Sequence, residues 1–176
     1  MATHKVSDDL ARRRGLARVA AVQALFQWLQ GADEPREIVT QFLRFRSRED
    51  DGEGGMPRDA DRAFFQEIVS GASKRGEDYD KTIAENLRDT WTVERIDKLL
   101  RAILLAGIYE LDRRNDVPAR VVITQYVDVA RQFFSAGEPA FVNVTLDHIA
   151  RRLRPGEFEA PVDKAPVDKA AAPDGG

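Results

Sequence analysis

The sequence predicts an all-α protein, a bundle of seven helices. Three observations carry that prediction. Apolar residues recur at spacings of three, four and seven through most of the chain, proline stands at the starts of the periodic segments rather than inside them, and no stretch alternates apolar and polar residues as a strand would.

The first helix is expected over residues 16–30, where Val19, Val22, Leu25, Phe26 and Leu29 share a face and Gly31 ends the run. Asp33 and Pro35 read as cap and first turn of a second helix through Ile38, Val39, Phe42, Leu43 and Phe45. Residues 47–56 hold four acids and three glycines with almost nothing to bury, which marks an exposed loop. Pro57 then opens a third helix with Phe64, Phe65, Ile68 and Val69 inside, and a shorter fourth follows over residues 79–87.

The fifth helix gives the strongest signal. Capped by Thr92, it places Ile96, Leu99, Leu100, Ile103, Leu104, Gly107, Ile108 and Leu111 on one face and Ala102, Leu105, Ala106 and Tyr109 on the other, so it belongs at the centre of the bundle. Asn115-Asp116-Val117-Pro118 reads as stop, cap and first-turn proline of a sixth helix to about Phe134, with Val121, Val122, Gln125, Tyr126, Val129, Ala130 and Phe133 inward. After the Ser135-Ala136-Gly137 break, Pro139 begins a seventh, with Val142, Thr145, Leu146, Ile149 and Leu153 inward. The repeated Ala-Pro-Val-Asp-Lys of residues 160–164 and 165–169 forbids a regular helix. The expected organisation is a flexible basic arm over 1–15, one helical domain over 16–154 and a disordered tail over 155–176.

Composition limits the chemistry. A chain of 176 residues, 43% hydrophobic, supports one core. With no cysteine there is no disulfide, no thiolate metal site and no Cys nucleophile, and the two histidines, His4 and His148, have no partner at metal-ligand spacing. The only glycine-rich stretch, Gly52-Glu53-Gly54-Gly55, lies in an acidic loop that repels phosphate. Neither a catalytic residue, a metal nor a cofactor is expected. The first ten residues carry no apolar run of the signal-peptide kind and no segment is long enough to span a bilayer, so a cytoplasmic protein with no membrane contact is expected.

The net charge of −3 taken alone argues against nucleic acid, but its distribution does not. Five acidic against two basic residues from Pro155 onward account for the whole deficit, while Lys5, Arg12, Arg13, Arg14 and Arg18 face only Asp8 and Asp9 within the first twenty residues. That arginine run reads either as a solubilising terminus or as an arm that grips phosphates. Phe141, near the start of the seventh helix, reads either as core or as a platform on which a base stacks.

The arginine-rich arm followed by Ala21-Val22-Gln23-Ala24-Leu25-Phe26, then Tyr109-Glu110-Leu111, Asp116-Val117-Pro118 and Phe141-Val142-Asn143 with Leu146-Asp147, resembles the successive signatures of the NusB family over residues 12–154. The resemblance implies three N-terminal helices packed on four C-terminal ones. It implies a transcription antitermination factor that binds boxA-type single-stranded RNA as a heterodimer with the small-subunit ribosomal protein NusE, within an RNA polymerase antitermination complex on ribosomal operons. By position it assigns RNA contacts to Arg12, Arg13, Arg14, Arg18 and Phe141. Phe26 replaces a more usual tyrosine, keeping the ring and losing the hydroxyl.

Further departures fall at Leu105, where many relatives carry arginine, and at Thr124, Gln125, Val144 and Thr145. An amide at Gln125 and an apolar Leu105 together suggest that a buried ion pair has become a neutral contact. Two other readings follow from the same residues. One is a divergent paralogue that keeps the fold as a protein-interaction module without RNA. The other is the NusB-like domain of an rRNA cytosine methyltransferase, which the lack of a Cys nucleophile disfavours.

Overall fold

The computed structural model describes residues 2–31, 33–44, 46–47, 56–87, 91–135 and 137–159. Its helices are α1 (Ala2–Leu29), α2 (Pro35–Arg44), α3 (Arg62–Lys74), α4 (Gly76–Ala84), α5 (Lys98–Arg113), α6 (Ala119–Phe133) and α7 (Gly137–Leu153). Single 3₁₀ turns occupy Val93–Arg95 and Pro155–Glu157. Among the described residues the only extended pairing is a two-residue parallel contact of Arg46–Ser47 with Met56–Pro57.

Helix α5 is the axis, packing against α1, α3, α4, α6 and α7. Every residue from 102 to 111 is buried, as an all-round apolar surface requires. Gly107 lets α7 approach closely: a β-carbon there would stand 2.9 Å from Leu146 Cδ1. Gly71 of α3 gives the same freedom to Tyr109, whose ring fills the space a β-carbon would need. Helices α1, α2 and α3 pack on one another, so the three-plus-four arrangement expected from the sequence is the one observed. The core runs from Leu25, Ile38, Phe65 and Ile68 through Ile103, Leu104, Ile108 and Leu111 to Tyr126.

Several boundaries differ from the sequence reading, each for a local reason. Helix α1 begins at Ala2, so residues 2–15, expected as a flexible arm, form its first turns. Pro57 pairs with Ser47 instead of opening α3, which Asp61 caps by accepting from Phe64 N at 3.0 Å. Asp97 rather than Thr92 caps α5, accepting from Leu99 N at 2.8 Å and Leu100 N at 3.2 Å, and Ile96 precedes the helix. Gly31, at φ +78°, turns the chain out of α1 as expected. On α6, Ile123 and Val127 are buried, while Val121 is exposed; on α7, Leu153 is exposed as well. These inner faces are therefore rotated slightly from the ones the spacing alone suggested.

The end of the chain is the largest revision to the packed unit. Residues 155–159, expected as tail, fold back on the bundle: Phe158 packs against the core, and Arg120 and Arg151 lie 5.6 and 4.8 Å from its ring centroid. Glu157 Oε2 accepts from Ala119 N at 2.7 Å, satisfying the first amide of α6, whose N-cap Pro118 has no side chain able to do so. The rest of the expected tail, 160–176, lies outside the described residues, as does most of the expected loop over 47–56.

Candidate nucleic-acid interface

The arginines of α1 divide into an outer and an inner set because a helix turns roughly 100° per residue. Arg12 and Arg13 are exposed. Arg12 donates to Asp9 Oδ1 at 3.2 Å and to Asp59 Oδ2 at 3.4 Å, and Arg13 Nε donates to the Asp59 carbonyl at 3.2 Å. Asp61 N returns a bond to Arg13 O at 3.1 Å, so the 58–61 turn is laced to this stretch of α1. The Arg12 pKa is raised, first by the Asp9 hydrogen bond. A phosphate approaching Arg12 therefore competes with two exposed carboxylates, contacts that cost little to exchange.

Arg14 is half-buried. Its guanidinium lies 5.0 Å from the Phe64 ring centroid, with Asp61 at 3.9 Å and Asp116 at 3.6 Å. Arg18 and Arg114 approach the same ring at 5.1 and 5.2 Å, so three guanidinium groups surround one phenyl. Arg114 is bound in turn to Glu67 and Asp116, and its hydrogen bond holds the Asp116 carboxyl below its ordinary pKa. This junction of α1, α3 and α5 is charge-balanced, not a bare basic patch.

Arg18, expected among the RNA-contacting arginines, is buried. Its Nε donates to Glu110 Oε2 at 2.9 Å and its Nη1 to Gln125 Oε1 at 3.2 Å. Burial opposes the charge, yet the Glu110 carboxylate outweighs it and the Arg18 pKa is raised. The Tyr126 hydroxyl beside them is driven well above its ordinary pKa, by burial first and the Glu110 charge second. Leu105 is fully buried and Gln125 is neutral as expected, while a separate buried ion pair, Arg18–Glu110, lies beside Gln125, which also accepts from Arg18. Glu110 was the missed residue, and its signal was legible, since a carboxylate in a helix apolar all round needs a buried partner.

Phe141 lies elsewhere. It is half-buried on α7 and lines an open groove of about 430 Å³ with Leu87, Trp91 and Val144. The opposite end of α7 is marked by Arg154, which donates to the carbonyls of Glu110, Leu111, Arg114 and Val117 at 2.7–2.9 Å. Arg14 meets Asp116 near that end. Phe141 precedes Arg154 by thirteen residues, so at 1.5 Å per residue the aromatic and the arginines are separated by about 20 Å along the bundle. The structure does not bring them together; a ligand touching both has to be extended. Phe26 is partly buried and packs on the core.

Among the described residues no group of His, Cys, Asp or Glu is placed to hold a metal, and no helix is long and apolar enough to cross a membrane. An arginine-edged helix and an aromatic groove on a rigid bundle define a helical interaction protein. The NusB family model matches residues 16–151, and the chain belongs to the NusB family. It is 45% identical over 152 residues to the transcription antitermination protein NusB of Nitrobacter hamburgensis, covering 86% of this chain and 94% of that one. It is 41% identical over 144 residues to the same-named protein of Mesorhizobium japonicum, covering 82% and 92%. Among solved structures, NusB of T. maritima superposes with a TM-score of 0.65 at 23% identity, covering 84% of this chain and 97% of that one. A structure of the antitermination factors NusB and NusE in complex with dsRNA matches with a TM-score of 0.61 at 22% identity over 80% and 98%. At these identities the structures show the shared fold.

Proposed function

We propose that the chain acts in the cytoplasm as a transcription antitermination factor that binds boxA-type RNA together with the ribosomal protein NusE, within the antitermination complex of RNA polymerase. One observation carries this reading: relatives that bear the antitermination name are 41–45% identical over nearly their whole length. The NusB–NusE pair solved with RNA supports both partners for this fold. Arg12 and Arg13, with the outer edge of Arg14, meet phosphates, and Phe141 meets a base; Arg18 instead holds α1 against α5 and α6.

A gel-shift titration with a boxA-type oligonucleotide, single-stranded and as a duplex, with and without NusE, tests the proposal. A shift that tightens on adding NusE is expected. Capture of NusE with no shift of either RNA would leave a protein-interaction module without RNA binding and overturn this reading.

A further inference from the structure

Trp91 is exposed to 56% and Val144 to 55%, two of the most exposed large apolar side chains among the described residues, and both stand on the groove that holds Phe141. A soluble surface seldom gathers such residues without an occupant. Among the described residues no charged side chain lines this groove; Asn86 and Thr145 are its polar members. On the other side of Ala140 lies a second groove, of about 540 Å³, with Thr124, Asn143, Ser135 and Arg131. The first half of α7 is thus flanked by an aromatic, uncharged groove and a polar one that share a wall; Arg131 of the polar groove pairs with Asp128 at 2.8 Å, an exposed contact that a phosphate exchanges at little cost.

We infer that the Trp91–Phe141 groove takes one unstacked base of the RNA, with Trp91 as a stacking surface alongside Phe141 and the Arg131 groove accommodating the adjoining sugar and phosphate. This rests on the RNA-binding function proposed above. Every base presents a π-face, and the neutral lining rejects the phosphate while the neighbouring cation attracts it. The two grooves adjoin at Ala140, so a base and the phosphate next to it can occupy neighbouring sites. Val144 fits this use. It is exposed on the rim and extends the apolar wall. Trp91 needs no role in the fold at that exposure, and Trp91→Ala is expected to melt with the parent.

The test uses the full chain with NusE and a boxA-type RNA oligonucleotide. Trp91→Ala should weaken RNA binding roughly 5- to 100-fold with the salt slope unchanged, because stacking displaces no counterions. Trp91→Phe should recover most of that loss. RNA should quench tryptophan emission in the parent and much less in Trp91→Phe, since the other tryptophan, Trp28, is partly buried against the core and Gly76. Parental affinity in Trp91→Ala, with Arg12→Ala/Arg13→Ala weakened, would overturn the groove assignment and leave the function standing. Loss of NusE binding by Trp91→Ala without RNA would overturn it in favour of protein docking. Failure of the parent to bind RNA would overturn both.

Discussion

The inner seam of the bundle, where Arg18 and Arg154 lie, and the outer turns of α1, where Arg12 and Arg13 lie, use the same side chain to opposite ends. Arg154 is bound by four backbone carbonyls and by Glu157 at 3.0 Å, and Arg18 by Glu110 and Gln125. Each is desolvated, held by several acceptors and fixed in direction. Arg12 shares a single guanidinium between two carboxylates, all of them more than half exposed. A ligand exchanges the outer contacts at little cost and cannot reach the inner ones. Arginines near each other in sequence therefore do not all add to an RNA footprint; the number of buried acceptors around each decides.

The sharpest way to break this comparison is to remove an inner arginine. Arg18→Ala leaves Glu110 buried and unpaired, and a loss of about 3–5 kcal/mol in chemical denaturation is expected. Replacing both partners, Arg18→Met with Glu110→Leu, should restore most of it, because no buried charge remains. A loss below about 1 kcal/mol in the single variant would show the pair to be solvated. Leu104→Ala, on the fully buried face of α5, provides the apolar reference at about 2–5 kcal/mol.

Truncation after Arg154 comes next. It removes the acceptor for Ala119 N, one partner of Arg154 and the Phe158 ring, and about 1–3 kcal/mol should be lost in thermal melts. A melt unchanged by that truncation would return residues 155–159 to the tail.

The outer arginines should behave inversely. Arg12→Ala/Arg13→Ala is expected to melt like the parent while RNA affinity falls, and the log–log salt slope should shrink by roughly 0.7 for each single-strand phosphate that is no longer neutralised. A destabilised protein with an unchanged slope would erase the distinction between the two regions.

The smallest effect concerns pH. The Glu157 carboxyl is held below its ordinary pKa, first by the Ala119 amide and then by Arg154. A depressed folded pKa contributes stability above the unfolded value, and that contribution is lost as pH falls through the folded one. Glu157→Gln should therefore lower the melting temperature slightly at neutral pH, flatten its acid limb below about pH 4.5 and converge on the parent at lower pH. An acid limb identical to the parent's would show that Glu157 does not carry it.

By itself the sequence determined the class, the number of helices and the central place of α5, because burial of an apolar stripe is periodic and periodicity is local. It also carried the family's ordered motifs and, in Glu110, the sign of a buried charge. It did not show which arginine answers that charge, since Arg18 and Glu110 are 92 residues apart and their meeting depends on α1 lying across α5. Nor did it show that Phe158 and Glu157 close the bundle, or that Trp91 and Phe141 line one groove. Those depend on the angles at which helices pack, and packing angles arise from interdigitating side chains distant in the chain, which no single helix's pattern encodes.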